Sequence, residues 1–249
     1  MTKIAFFKEA FKNFSDNYVI IGGTACALLF DEVEQDFRAT KDIDLVVIAE
    51  NVSADFGRQM WRFVSSGGYR NKNKSSGQPQ FYRFDNPKDD RYPKMIEIFS
   101  RSTKNFELEE GQRCVPLPFG EEISSLSALV LDEAYYKILK SGSKIIDGVS
   151  VLDVPGLIAF KAKAYLNMRE EFERGGNISE RSIRKHGEDV LRLSDLLSLR
   201  MRLLVDELVF EDIVRFCLLT RSEAGLHKAL VGNQDIESVL QRIQTTYFV

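Results

Sequence analysis

The sequence predicts an α/β (α+β) fold, a mixed sheet with flanking helices, followed by a C-terminal helical bundle. Two observations carry this. Through the first half, short β-branched runs alternate with amphipathic stretches and end at glycines, the pattern of a sheet layered with helices. After Pro155 the spacing is helical throughout, in four successive stretches. The change falls near residue 153 and gives two domains, 1–153 and 154–249.

Residues 3–14 read as an amphipathic helix, and "YVIIGG" as a short buried strand ending in glycines. "TACALLFDEV" follows at once as a helix, and "IDLVVIA" is a second buried strand. "SADFGRQMWRFVSSGG" puts Phe56, Met60, Trp61 and Phe63–Val64 on one side of a helix that closes at a glycine pair. "QFYRF" and "KMIEIFS" alternate apolar and polar residues as half-buried strands do. "ALVLD" reads as a further strand and "EAYYKILKSG" as a helix. In "KIIDGVSVL", Asp147-Gly148 suits a type I′ turn between β-branched runs, so this is a hairpin. The bundle follows: "GLIAFKAKAYLNMREEF", "SIRKHGEDVLRLSDLLSLRM", "VFEDIVRFCLLT" and "QDIESVLQRIQTTY", with "ERGGNISER" as a polar bridge.

Composition narrows the function classes. Hydrophobic residues make up 44% and charged residues 29%, which is the balance of a soluble globular chain. No apolar run approaches the roughly 20 residues a bilayer requires. The charged N-terminal helix is unlike a signal peptide. Cys26, Cys114 and Cys217 have no metal-like spacing and read as reduced thiols in a cytoplasmic protein. His186 and His227 are the two histidines, which argues against a His-rich zinc site. With a net charge of −3, nucleic-acid contact would have to come from a local basic patch.

The informative stretch is "VIIGGTACALLFDEVEQDFRATKDIDLVV". Asp42 and Asp44 stand two apart on a predicted strand, so they share a face with Cα atoms about 6.5–7 Å apart. Two carboxylates so placed repel unless a cation lies between them, and a hard divalent ion such as Mg2+ suits oxygen ligands. A third acid from a neighbouring strand would complete a two-metal site. Glu97 is positioned for this, because Ile96 and Ile98 should point the other way. Gly22-Gly23 lies where a strand passes into a helix, and backbone N–H groups there bind phosphate that glycine lets approach closely. Thr24 would add a hydroxyl. A phosphate cradle beside paired carboxylates is what phosphoryl or nucleotidyl transfer needs.

With these residues in view, "IGGTACALLF…RATKDIDLVV" resembles the signature of the DNA polymerase β-like nucleotidyltransferases. More narrowly, "GG…R-x-T-x-D-I-D" resembles the AbiEii toxins of abortive-infection toxin–antitoxin systems and their MenT relatives. "VPGLIAFKAKAYL" resembles the family's lysine-bearing helix, and "RKHGEDVLRL" its later aspartate block. The resemblance implies a magnesium-dependent transferase, with one or two ions, that moves a nucleoside monophosphate from an NTP to an acceptor. It implies Asp42, Asp44, Lys161 and Asp189 as catalytic residues, with Asp42 and Asp44 on metal. It places Gly22, Gly23, Thr24 and Lys161 around the triphosphate. The acceptor it suggests is an RNA, tRNA-like, the partner an antitoxin protein, and the active site lies in a cleft between the two domains. The alternative is a degenerate fold of this type that only binds nucleotide or protein.

Several residues admit a plainer reading. Lys161 falls on the buried face of its helix with Leu157 and Ile158 and needs an anionic partner; Lys163 lies off that face and is expected to be solvated. His186 is either a base beside Asp189 or a surface histidine. Arg38 and Thr40 flank the start of the aspartate strand, where Arg38 contacts phosphate or braces the loop. "YRNKNKSSGQPQFYRF" holds Arg70, Lys72, Lys74 and Arg83 with several aromatics and no acid. That composition suits either RNA contact, with Tyr69, Phe81 or Tyr82 stacking on bases, or a solvated loop.

Overall fold

The structure is a computed structural model and describes residues 3–48, 50–51, 53–70, 83–100, 132–230 and 234–249. It divides into two compact units, Met1–Phe119 with Ser143–Leu152, and Gly120–Gly142 with Asp153–Val249.

The first unit is built on a six-stranded mixed sheet in the order β3-β4-β2-β1-β6-β5. Its elements are α1 (Lys3–Phe11), β1 (Tyr18–Ile21), α2 (Gly22–Asp31), β2 (Asp42–Val47), α3 (Ala54–Gly67), β3 (Arg83–Asp85) and β4 (Met95–Ser100). The hairpin β5 (Ser143–Ile146) and β6 (Val149–Leu152) completes the sheet. β2 is antiparallel to β1 and parallel to β4, and β6 runs parallel to β1. The helices form because their ends are specified. The Ser53 hydroxyl accepts from the Phe56 N–H at the start of α3, and Gly68, in the left-handed conformation at φ 63°, closes it. Between β5 and β6, Asp147 and Gly148 both take positive φ, 46° and 81°, as a type I′ turn demands. Phe7, Phe11, Tyr18, Phe56 and Phe63 form one aromatic cluster that ties α1 and α3 to the sheet.

The second unit is helical: α4 (Glu133–Ser141), α5 (Val154–Glu173), α6 (Glu180–Leu193), α7 (Glu207–Ser222), α8 (Ala224–His227) and α9 (Ile236–Thr246). A short parallel pair, β7 (Leu203–Leu204) with β8 (Tyr247–Phe248), ties the segment before α7 to the segment after α9. Asp153 caps α5, accepting from the Gly156 N–H at 2.8 Å, and Pro155 occupies its first turn. Here the chain departs from a single division at residue 153. The α4 helix belongs to the helical unit, because its Tyr135 is fully buried and packs edge-on against Phe160 of α5. The hairpin that follows returns to the sheet through β1.

Cys26 and Cys217 are buried thiols outside any disulfide, and burial pushes the Cys217 thiol up to about 12. Among the described residues no helix is long and apolar enough to cross a membrane. The predicted "ALVLD" strand lies outside the described residues except for its last residue, as do Lys72, Lys74, Phe81, Tyr82 and Cys114.

Candidate functional site

The site is assembled where β1 ends and α2 begins without a connecting loop. Gly22 opens α2 at φ 70°, and a Cβ at this position would lie 1.9 Å from Oδ2 of Asp44. Only glycine accepts both the backbone angle and that approach. The register explains the closeness, since Asp44 on β2 stands opposite Ile21 at the end of β1. The Asp44 carboxylate therefore lies against the first residue of a helix, where backbone N–H groups have no intrahelical acceptors. The next residue is also covered: a Cβ on Gly23 would come within 3.2 Å of the Thr40 hydroxyl and 3.3 Å of the Arg38 guanidinium. Arg38 in turn lies over the Phe37 ring, 5.3 Å from its centre. Gly22, Gly23, Arg38, Thr40 and Asp44 are thus brought together.

Thr24 has a different position. Its hydroxyl donates to the Asp42 carbonyl at 2.5 Å and fastens α2 to the start of β2, so its proton is committed within the protein. Asp42 and Asp44 are part-exposed, while Ile43 and Leu45 between and beyond them are buried, as the alternation of a strand requires. A groove of about 460 Å3 borders this region, with Thr24, Phe37, Arg38, Thr40, Lys41 and Asp42 among its lining residues. Its size lies within the range of small-molecule sites.

Glu97 is the Cα partner of Asp44 on the parallel neighbour β4, so the two carboxylates share a face. Ile96 and Ile98 flank it, buried, as expected. Glu97 also has a partner that sequence reasoning missed. Arg83 on β3 is in register with it from the other side, and the Arg83 Nε donates to Glu97 Oε1 at 2.7 Å, with a second contact from its Nη2. Both side chains are mostly buried. The signal was present as opposite charges at matching alternation positions in "YRFD" and "MIEI", but it can be read only once the antiparallel register is known. Among the described residues no three His, Cys, Asp or Glu side chains form a ready ligand set for one metal ion. The hard oxygen donors of Asp42 and Asp44 suit Mg2+, and Glu97 accepts the Arg83 guanidinium on Oε1.

Lys161 and Asp189 lie in the helical unit and bind each other. The ammonium donates to Asp189 Oδ2 at 2.7 Å, with side-chain exposures of 5% and 2%. The anionic partner that the inward-facing lysine requires is thus supplied from α6. The expectation that Lys163 is solvated is corrected: its ammonium binds Asp212, which is buried on α7 and also accepts from the Tyr135 hydroxyl at 2.8 Å. Burial, reinforced by the Asp212 charge, holds that phenol far above its ordinary range. Asp212 could have been found, because it lies on the apolar stripe of "VFEDIVRFC" with Val209, Ile213 and Phe216. His186 is half-buried on α6, one turn before Asp189.

The described ends of the basic segment belong to the sheet edge. Tyr69 donates to the Pro93 carbonyl at 2.7 Å, Arg70 bridges Asp85 through its backbone, and Phe84 is buried. Tyr69 and Arg83, for which RNA contact or a solvated loop was expected, have partners within the sheet unit, the Pro93 carbonyl and Glu97. In comparison with known proteins, the chain matches no family model and no curated protein.

Proposed function

We propose that this chain is a magnesium-dependent nucleotidyltransferase that moves a nucleoside monophosphate from an NTP to an acceptor. The observation that carries the reading is the junction of β1 and α2. A glycine-opened helix start, a same-face aspartate pair and the Arg38–Thr40 flank meet where β2 pairs with the end of β1. The N–H groups at the start of α2 would receive triphosphate oxygens, and Arg38 would add a guanidinium to them. Asp42 and Asp44 would hold Mg2+, which when bound neutralises phosphate charge and orients the α-phosphorus. The acceptor hydroxyl forms the new P–O bond, the α–β phosphoanhydride bond breaks, pyrophosphate leaves, and the acceptor proton passes to water. The acceptor class is an RNA, in keeping with the toxin family the sequence resembles; that resemblance also suggests restraint by an antitoxin protein. Incubation with each labelled NTP, Mg2+ and total cellular RNA tests the reading. Label transfer with pyrophosphate release is expected, and its absence with all four NTPs would count against it.

A second reading has one observation in its favour. The Arg83–Glu97 pair occupies an acid that a catalytic triad would present to metal, as in a fold kept for binding alone. Thermal stabilisation by NTP and Mg2+ without pyrophosphate release would select this reading.

A further inference from the structure

The groove of about 460 Å3 lies wholly within the sheet unit. One wall is a single face of α2, where Thr24, Ala27, Leu28 and Asp31 recur at the i, i+3, i+4 and i+7 spacing of a helical stripe. A second wall is the segment from Gln35 to Ile43. At the near end Thr24, Thr40 and Asp42 adjoin the point where Gly23 meets Arg38. At the far end the Gln35 N–H donates to the Phe30 carbonyl, which sets Gln35 beside Asp31 at the close of α2. From Thr24 to Asp31 the stripe rises about 10.5 Å. That matches the reach from a nucleotide's α-phosphate to the edge of its base.

The polar groups are sorted along this length. Lys41, next to Asp42 at the near end, is exposed and has no ion-pair partner among the described residues. Asp31 and Gln35 at the far end are also exposed, and neither side chain is bonded among the described residues. Ala27, Leu28 and Ile43 supply apolar wall between the two ends. The remaining charged groups are engaged within the protein. Lys8 binds Asp147 at 2.8 Å, and Asp36, Arg38 and Asp42 have partners of their own.

We propose that this groove seats the nucleoside of the NTP, with phosphate at the Lys41 end and the base at Asp31 and Gln35. The proposal rests on the nucleotidyltransferase reading of the adjoining site and names its substrate class. An ionised carboxylate only accepts hydrogen bonds, so a base recognised by Asp31 must donate. Adenine, cytosine and guanine each carry an exocyclic amino group. Uracil flanks its one pairing-edge N–H with two carbonyls, which repel a carboxylate. The Gln35 amide both donates and accepts, and so completes the pairing edge of an amino-bearing base. The class is therefore ATP, CTP or GTP over UTP. Asp31 and Gln35 set specificity and take no part in the transfer itself.

Calorimetric titration of the full chain tests this without turnover. The probes are tripolyphosphate and the α,β-methylene analogues of the four NTPs, which cannot be cleaved at the transferred phosphate, all with Mg2+. On the wild-type chain an amino-bearing analogue should bind about fivefold more tightly than the UTP analogue, the worth of one hydrogen bond. Asp31→Ala/Gln35→Ala should abolish that preference. Ala27→Trp, which fills the groove, should weaken every analogue by more than about tenfold and leave tripolyphosphate unchanged. A UTP analogue that binds wild type as tightly as the others would overturn the proposal, and this comparison needs no variant to fold. So would analogue affinities that survive Ala27→Trp. In both cases bound tripolyphosphate would leave the phosphate site standing. If neither tripolyphosphate nor any analogue binds the wild-type chain, the nucleotidyltransferase reading fails along with the proposal.

Discussion

Two sets of charged residues sit in the two units, and their surroundings differ sharply. In the sheet unit, Asp42 and Asp44 are part-exposed on a strand whose other residues are buried, beside a helix start and a groove. In the helical unit, Lys161 and Asp189 are closed off from solvent and bonded to each other. Part-exposure leaves the first set within reach of a ligand from solvent. Burial binds the members of the second set to each other, because an ion out of water is tolerated only while its partner remains. Similar motif residues therefore carry different expectations, and substitution separates them.

The largest effect should come from the buried pair. Lys161→Met leaves the Asp189 carboxylate buried without its cation and should cost about 3–5 kcal/mol of stability, measured by chemical denaturation. Lys161→Met/Asp189→Leu should recover much of this, since apolar residues of similar volume replace buried ion pairs at little cost. A stable single variant that had lost NTP binding would instead give Lys161 the triphosphate role that its motif implies.

Gly22→Ala comes next, and it acts on the other unit. The substitution forces a side chain into positive φ and into the Asp44 carboxylate, at about 1–3 kcal/mol. Because Asp44 must move, Mg2+ and NTP affinity should fall with it, as read by calorimetry. Unchanged nucleotide affinity would show that the tight glycine serves the fold alone.

This contrast marks how far the sequence could be read. Local patterns sufficed for what depends on neighbours in the chain. The alternation around Asp42, Asp44 and Glu97 revealed a shared face, and Asp147-Gly148 revealed the hairpin turn. The inward position of Lys161 followed from helical period, and so did its need for an anion. What local patterns do not contain is register and packing between distant segments. Arg83 was read from its basic neighbourhood as either a nucleic-acid contact or part of a solvated loop, and register across β3 and β4 places it beside Glu97. The departure of α4 from the sheet unit followed from tertiary burial of Tyr135, which no window around residue 135 records. Lys163 escaped for the same reason, as Asp212 lies 49 residues away.

Lys163→Ala should cost less than either change above, about 1–2 kcal/mol. Asp212 keeps the Tyr135 hydroxyl as a donor, and Lys163 is itself partly exposed. The measurement is again denaturation, and adding Tyr135→Phe should make the loss more than additive, because the two share one carboxylate. Simple additivity would mean the three side chains do not act as a network.

The smallest effect on stability should accompany the largest on chemistry. Asp44→Asn removes one of two neighbouring like charges while keeping the side-chain shape against Gly22. Relief of repulsion should leave the fold unchanged or raise its stability by less than about 1 kcal/mol. Nucleotidyl transfer should nevertheless be lost, since an amide oxygen is a much weaker ligand for a hard cation than a carboxylate. Asp42→Asn should behave alike, because it shares the face. The paired measurement is an unfolding midpoint and a pyrophosphate-release rate on the same preparation. Loss of both in step would mean that Asp44 is a structural brace like Lys161, and the distinction between the two units would collapse. Loss of the rate with the midpoint held would assign ligand chemistry to the open carboxylates and leave the enclosed pair to hold the helices together.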